Sequence, residues 1–402
     1  GDVTVAIGVA TVAAPRTAYV FPGQGVQQVG MGMDGYARSE AAKAVWDRAD
    51  AHCRKAMGFS ILEVVRENPT TLAAGPHGES QSTFRHPAGV LFLTQFTQVA
   101  MATLACAQVA EMRERGVFDE AAVTAGHSVG EYNALAAVTG TLPLAELLEL
   151  VFARGSAMHD LVPRSADGSS DFRLAVVRPH LAGLDHAAAD ELVRTVAAET
   201  GELCEIVNHN LKGKQYAVAG TVTALAELER RLGPGSGKPP FLLVPGIDVP
   251  FHSSALADGV AAFRGHLERR LPTEIDPSAL VGRYVPNLHP RPFATTRDYV
   301  EDVLAVCGSP VLRDLLLTWE QHTDGQIART LLIELLAWQF AMPVRWIETT
   351  DVLCGQLEVQ RVVEIGVGAQ PTLANLFKGA LALGAHRGTR PVVLHAEADL
   401  DV

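Results

Sequence analysis

Apolar and polar positions follow two textures along the chain. Residues 16–25, RTAYVFPGQG, gather Val, Tyr and Phe into a short run that breaks into a Gly/Pro loop, which predicts a buried strand feeding a turn. Helical patterns follow around 38–57 and 88–115. AAVTAGHS (121–128) then predicts a second short strand, and GEYNALAAVTG opens a helix ending near Gly140. Strands alternating with helices indicate an α/β fold with a parallel sheet. From about residue 172 the order changes. FRLAVVRP reads as a strand, DHAAADELVRTVAAET as a helix, CEIVNHN and QYAVAGT as strands, VTALAELERRL as a helix and FLLVPGIDV as a closing strand. That β-α-β-β-α-β succession is the ferredoxin-like pattern. It lies between two loop-like segments, VPRSADGSSD (162–171) and GPGSGKPP (233–240). A small subdomain at 166–248 is therefore expected inside a larger one formed by 17–165 and 249–402. Residues 1–16 and the tail, HAEADLDV (395–402), read as linkers. VVEIGVGAQPTL (362–373) predicts a further strand, loop and helix. No internal repeat stands out.

Composition narrows the function classes. With 402 residues, 48% of them hydrophobic, the chain can bury a large core. Its net charge of −12 and the lack of any basic tract argue against a nucleic-acid partner. An anionic ligand would have to be met by a few local cations. Cys53, Cys106, Cys204, Cys307 and Cys354 are scattered without a CxxC pair, which fits reduced thiols in a cytoplasmic protein better than a disulfide framework or zinc knuckle. No His/Asp/Glu grouping has metal-ligand spacing, and no apolar run reaches membrane-spanning length. The opening GDVTVAIGVATVAAP lacks the basic start and initiator Met of a signal peptide.

The candidate chemistry centres on G126-H-S-V-G130, a G-x-S-x-G pattern with a strand before and a helix after it. That context would project Ser128 as a nucleophile, with the helix N-terminus stabilising developing negative charge. The plainer reading is a Gly-Ser turn that caps a helix. His252, in DVPFHSS, follows the predicted closing strand in a Pro-containing loop. From the residues alone it is a general base or a hydrogen-bonded loop histidine. His127 adjoins Ser128, but neighbours at a strand end point to opposite sides, so it reads as a supporting residue. Arg154, in ELVFARGSAMHD, is an isolated cation on an apolar helix: a snorkelling side chain or a bidentate clamp for a carboxylate. GPGSGKPP fails the phosphate-loop spacing, and GQGVQQVG and GVGAQP miss the dinucleotide fingerprint.

In this order, VFPGQGVQQVGMG, GHSVGEYNALAA, FARGSAM, VNHNLKGKQYAVAGT, VPFHS and QFAMPVRW resemble the malonyl-CoA:acyl-carrier-protein acyltransferase family over roughly residues 17–380. The resemblance implies an α/β-hydrolase-like large subdomain with an inserted ferredoxin-like one. It also implies Ser128 as nucleophile, His252 as base, and the backbone carbonyl of Gln339 orienting the imidazole in place of a triad carboxylate. The backbone N–H groups of Gln24 and Val129 would form the oxyanion hole, and Arg154 would pair with the malonyl carboxylate. Phe251, Asn208 and Asn210 would border the substrate. The implied reaction is a ping-pong transfer from malonyl-CoA to an acyl carrier protein with its phosphopantetheine arm, with no permanently bound cofactor.

The longer segments GRYVPNLHPRPFATTRDYVEDV, VPGIDVPFHSS and IELLAWQFAMPVRWIETTD resemble the malonyl/palmitoyl transferase domain of type I fatty acid synthases, particularly the actinobacterial multienzyme. That implies neighbouring domains and the return of palmitoyl to CoA as palmitoyl-CoA. A malonyl-accepting domain of an iterative polyketide synthase is the alternative, which Phe251 also fits. A serine thioesterase shares the elbow and would call for an acid such as Asp248 beside His252. A silent scaffold is the non-enzyme alternative.

Overall fold

The computed structural model describes residues 14–75, 81–166, 168–235, 237–367, 371–384 and 388–399. Residues 1–13 of the expected leading linker, 400–402 of the tail, 368–370 of GVGAQP and one residue in each bounding loop lie outside them. Eleven strands are described: β1 Thr17–Phe21, β2 Thr71–Ala74, β3 Ser82–Arg85, β4 Val123–Gly126, β5 Phe172–Val177, β6 Cys204–Leu211, β7 Gln215–Thr221, β8 Phe241–Leu243, β9 Tyr284–Val285, β10 Arg361–Glu364 and β11 Val392–His395.

A five-stranded sheet of order β11-β10-β1-β4-β9 is parallel throughout. Every residue of β1 and β4 is buried, which is why these strands read as continuous apolar runs without alternation. Helix Thr94–Glu114, buried along most of its length, packs against helices Glu40–Met57 and Leu144–Asp160 to form the main core beside this sheet. A four-stranded antiparallel sheet of order β6-β7-β5-β8 makes up the second unit. With helices His186–Thr200 and Val222–Leu232 on one face it is ferredoxin-like, so the mixed α/β class read from the sequence holds. Its other face, including Leu174 and Val207, turns towards the large unit. The two join where Val344 donates to the Val207 carbonyl and accepts from the His209 N–H, both at 2.9 Å.

Several local expectations need correction. The closing strand stops at Leu243 instead of running to Val249, because Pro245 and Gly246 (φ 73°) turn the chain back towards the large unit. The helix expected from 88 begins at Thr94. The stretch 38–57 is one long helix preceded by a short one, Met33–Arg38, with the Ser39 hydroxyl capping the second. The hairpin β2–β3 and the outer strands β9 and β11 were not foreseen, and the tail read as a linker from 395 instead completes β11 at His395 and forms a short helix, Ala396–Asp399, packed on the large unit through the buried Ala396.

Candidate active site

β1 and β4 lie side by side at the centre of the parallel sheet, with Phe21 opposite Gly126. Their carboxyl ends deliver two loops to one spot: Pro22–Gly25 after β1, and His127–Ser128 after β4. Crevices outside the carboxyl ends of parallel strands are where α/β proteins bind ligands. The turn after β4 is sharp. Ser128 has φ 56° and ψ −120°, a strained conformation for a non-glycine residue, and it directly precedes helix Val129–Ala137. Two glycines make that turn possible through close approach. A Cβ on Gly126 would lie 2.1 Å from the Gly130 carbonyl carbon, and one on Gly130 would lie 2.1 Å from the Phe21 carbonyl oxygen.

Asn287, just after β9, clamps the same turn. Its Oδ1 accepts the Ser128 N–H at 2.8 Å, and its Nδ2 donates to the Gly126 carbonyl. The Ser128 hydroxyl is thereby fixed 2.7 Å from His252 Nε2, and His252 Nδ1 meets the Gln339 carbonyl oxygen at 2.8 Å. His252 also has a positive φ, 60°, and is almost fully buried. Burial, reinforced by the Arg154 charge, lowers its pKa to about 3, so the ring is neutral and its Nε2 is free to accept a proton.

Asp248 takes no part in this relay. Its carboxylate grips Arg164 at 2.5 and 3.2 Å, while a backbone carbonyl occupies the position where a triad acid would stand. His127 is turned away from the hydroxyl: its Nε2 meets Asn210 Oδ1 at 3.0 Å, and burial lowers its pKa to about 4.

Arg154 reaches the serine from helix Leu144–Asp160 and is 1% exposed. Its Nη1 donates to Gln98 Oε1 at 3.0 Å; its Nη2 donates to Gln339 Oε1 at 2.8 Å and to Ser128 Oγ at 3.3 Å. The guanidinium stands over the Tyr132 ring, 5.2 Å from its centroid. Among the described residues no carboxylate forms an ion pair with it, and its Nε has no partner. A snorkelling arginine would extend its head to water; this one is held inside by neutral acceptors.

Behind Gln339 lies Glu131. The Gln339 Nε2 donates to Glu131 Oε2 and to the Ser128 carbonyl, both at 2.8 Å. Glu131 also accepts from the Tyr284 hydroxyl and from the Asn287 N–H. Burial raises its pKa to about 7, against the pull of these donors and of Arg154. Gln339 was expected to contribute only its carbonyl. Its side chain, with Gln98, Glu131, Tyr132, Tyr284 and Asn287, was missed. The position of Glu131 three residues after Ser128, the one charged residue of its helix, was the one local signal.

A cavity of about 100 Å³ brings Ser128, His252, Arg154, Gln24, Val129, Phe251 and Asn208 together. Leu174, Val207, Val244 and Ile247 give it apolar walls, and the Asn208 Oδ1 is buried without a partner among the described residues. Neither the Gln24 nor the Val129 N–H donates a hydrogen bond among the described residues. Asn210 does not line this cavity. The irregularity between His209 and Leu211 in β6 directs it to His127, so it acts on the elbow from outside.

The family model described as "Acyl transferase domain" matches residues 18–231. Fatty acid synthase 2 of Mycosarcoma maydis is 36% identical over 454 residues, covering 93% of this chain and 12% of its own length. Fatty acid synthase subunit beta of Saccharomyces cerevisiae is 32% identical over 405 residues, covering 81% of this chain and 20% of its own. The chain thus spans a fifth or less of these relatives. Among solved structures, an acyl-carrier-protein S-malonyltransferase from Burkholderia pseudomallei is 26% identical with a TM-score of 0.64, covering 91% of this chain and 93% of its own. The enzyme of the same name from Bartonella henselae has a TM-score of 0.68 at 24% identity, covering 96% of each chain. A malonyl-transacylase solved in complex with a type II polyketide acyl carrier protein has a TM-score of 0.66 at 22% identity, covering 94% of each chain.

Proposed function

The chain belongs to the acyl transferase domain family, and on that premise we propose that it moves malonyl from CoA to an acyl carrier protein as one domain of a fatty acid synthase. The observation that carries this reading is the pairing of the Ser128–His252–Gln339 relay with a buried guanidinium, 3.3 Å from the serine oxygen, that no carboxylate among the described residues pairs with. A buried cation without a counter-charge is costly, and a malonyl carboxylate would relieve that cost where a neutral acyl group would not. The relatives' names support the multienzyme context, and those of the solved neighbours support malonyl and a carrier protein as substrates. In that setting the protein is cytoplasmic; no helix among the described residues is long and apolar enough to cross a membrane.

Ser128 Oγ attacks the thioester carbonyl, forming a C–O bond as His252 Nε2 takes its proton. The oxyanion lies against the Gln24 and Val129 N–H groups at the start of helix Val129–Ala137. The C–S bond then breaks and His252 returns the proton to the departing thiolate, leaving malonyl-Ser128. A second thiol, on the carrier, reverses these steps. Phe251 and Asn208 border the acyl group. The units 17–165 with 249–402, and 166–248, are read as two subdomains closing over it.

Return of palmitoyl to CoA sets a harder condition, because its tail is apolar and the cavity is small. The apolar walls favour such a chain, provided that Arg154 swings aside from Ser128. Intact mass after brief exposure to malonyl-CoA, and separately to palmitoyl-CoA, tests this, with Ser128→Ala as control. Both adducts are expected, and both should vanish in the variant. Arg154→Ala should abolish the malonyl adduct and keep the palmitoyl one; equal loss of the two would refute the division of labour. Free acid in place of acyl-enzyme would mean hydrolysis, and a malonyl adduct alone would favour a polyketide synthase context.

A further inference from the structure

The loop that carries the Gln24 N–H is held from outside itself. Residues 23–26 form no backbone–backbone hydrogen bond among the described residues, so no ladder fixes where that N–H points. The Gly25 N–H donates to Gln27 Oε1 at 2.8 Å, which shapes the turn without tying it to another element. Close approach fixes the near end: a Cβ on Gly23 would lie 2.9 Å from His127 Nδ1 and 3.3 Å from Ser128 Cβ. Beyond it, the polar tie is one hydroxyl. Thr94 Oγ1 donates to the Gln24 side-chain oxygen, Oε1, at 2.6 Å.

Thr94 opens helix Thr94–Glu114 and is almost buried. A threonine at such a place commonly caps its own helix. Here the cap position is Leu93, no side chain caps the helix, and among the described residues the Thr94 hydroxyl bonds only Gln24. The helix start is itself pinned. A Cβ on Gly155 would lie 2.6 Å from Gln95 Cα and 3.0 Å from Thr94 Cγ2, so helix Leu144–Asp160 presses against it beside Arg154. Side chains four apart on a helix share a face. Thr94 therefore shares its face with Gln98, which accepts from Arg154 Nη1 at 3.0 Å. One face of one packed helix reaches both the loop after β1 and the guanidinium.

We propose that Thr94 is a positioning residue for the oxyanion hole: its hydroxyl, holding the Gln24 side chain, keeps the Gln24 N–H aimed at the thioester oxygen. This rests on the acyltransfer reading above. Charge grows on that oxygen as Ser128 attacks, and a donor stabilises it fully only if it is already in place. A loop without ladder bonds does not supply that order, and a displacement of about 1 Å can cost about a hundredfold in rate.

The test is single-turnover acylation of Ser128 by malonyl-CoA, read as limiting rate and half-saturating concentration. Thr94→Val keeps the shape against Gly155 and removes the hydroxyl. Gln24→Met breaks the same bond from the other end, in a partly exposed loop, so a folding defect in one variant leaves the other to decide. Each should lower the limiting rate about ten- to a hundredfold, short of the cost of deleting a donor outright. The half-saturating concentration should stay within about threefold, since the oxyanion forms only in the transition state. Thr94→Ser should restore the rate to within about threefold of wild type. The double variant should be no slower than the slower single one, because both remove one contact. An unchanged rate in Thr94→Val, a loss carried by the half-saturating concentration, a failure of Ser to rescue, or defects that multiply would each overturn the proposal. A loss carried by that concentration would place the damage at Arg154. Failure of wild type to be acylated overturns the acyltransfer reading instead, and Thr94's role with it.

Discussion

Replacing Glu131 by Gln changes one oxygen to nitrogen and tests the proposal that Arg154 is held ready for a substrate carboxylate. Glu131 accepts three hydrogen bonds in the structure: Oε1 from Tyr284 and the Asn287 N–H, Oε2 from Gln339 Nε2. The last bond fixes the polarity of the Gln339 amide. With Nε2 committed to Glu131 and to the Ser128 carbonyl, Oε1 must face Arg154. A glutamine at 131 can keep its oxygen towards Tyr284 and Asn287 only by turning its NH₂ onto the Gln339 NH₂. Either two donors face each other, or Gln339 flips and presents its NH₂ to the guanidinium. In both cases the Arg154–Gln339 contact at 2.8 Å is lost or strained. A hydrogen bond to a charged group contributes about 1.5–3 kcal/mol, so kcat/KM for malonyl-CoA should fall about ten- to a hundredfold. A neutral acyl donor does not use the Arg154 charge and should lose much less, so the ratio of malonyl to palmitoyl acylation is the readout. Single-turnover acylation of Ser128, followed by mass, measures both. An unchanged ratio, whatever the absolute rates, would refute the reasoning.

Asn287→Ala removes the acceptor of the Ser128 N–H and the donor to Gly126, leaving buried groups unmet. Stability should fall by about 1–3 kcal/mol, and malonyl and palmitoyl acylation should slow together; calorimetry and the same mass assay check this, and a selective loss would contradict a purely positional role. Acid stability gives a signed expectation. His252 and His127, lowered to about 3 and about 4, resist protons that the unfolded chain accepts, so each destabilises the fold as pH falls below ~6.5. Glu131, raised to about 7, acts oppositely: its favourable contribution is complete below its unfolded pKa and is lost as pH rises through 7. Urea unfolding between pH 6.5 and 5 should therefore show Glu131→Gln losing up to about 1.4 kcal/mol more per pH unit than wild type. Parallel profiles would place the Glu131 titration outside this window.

The sequence was most legible where local chemistry and fold agree. β1 and β4 are buried on both faces, so their apolar runs survive any sheet order, and the glycines around Ser128 are demanded by contacts of about 2 Å that no larger residue could meet. The ferredoxin-like unit was readable because its helices are strongly amphipathic and its strands alternate with them in a fixed order. It failed where the partner, not the segment, decides. Within Val244–Val249 the break comes from Pro245, which has no N–H to give a ladder, and from the turn at Gly246, a pair that the apolar run on either side outweighed in the reading of the sequence. β9 and β11 are two and four residues long and exist only because β4 and β10 offer free edges.

The active-site cluster has the same limit in sharper form. Ser128, His252 and Arg154 could each be picked out from its own neighbours, yet each kept an innocent reading until the chain brought it within hydrogen-bond distance of the others. Asn210 was misplaced because strand alternation puts it on the face of Asn208, and only the irregularity in β6 separates the two. Gln339 was the hardest to read. It lies 211 residues from Ser128, and a glutamine at the end of a buried helix suggests no chemistry by itself. Its importance comes from being an amide with both polarities in use: one end faces a carboxylate and a backbone carbonyl, the other a guanidinium. An Arg154–Glu131 ion pair would have satisfied the buried charges at once and left nothing for a substrate carboxylate. One neutral amide between them keeps the guanidinium buried, oriented and short of a counter-ion, which is the condition a malonyl-selective site has to meet.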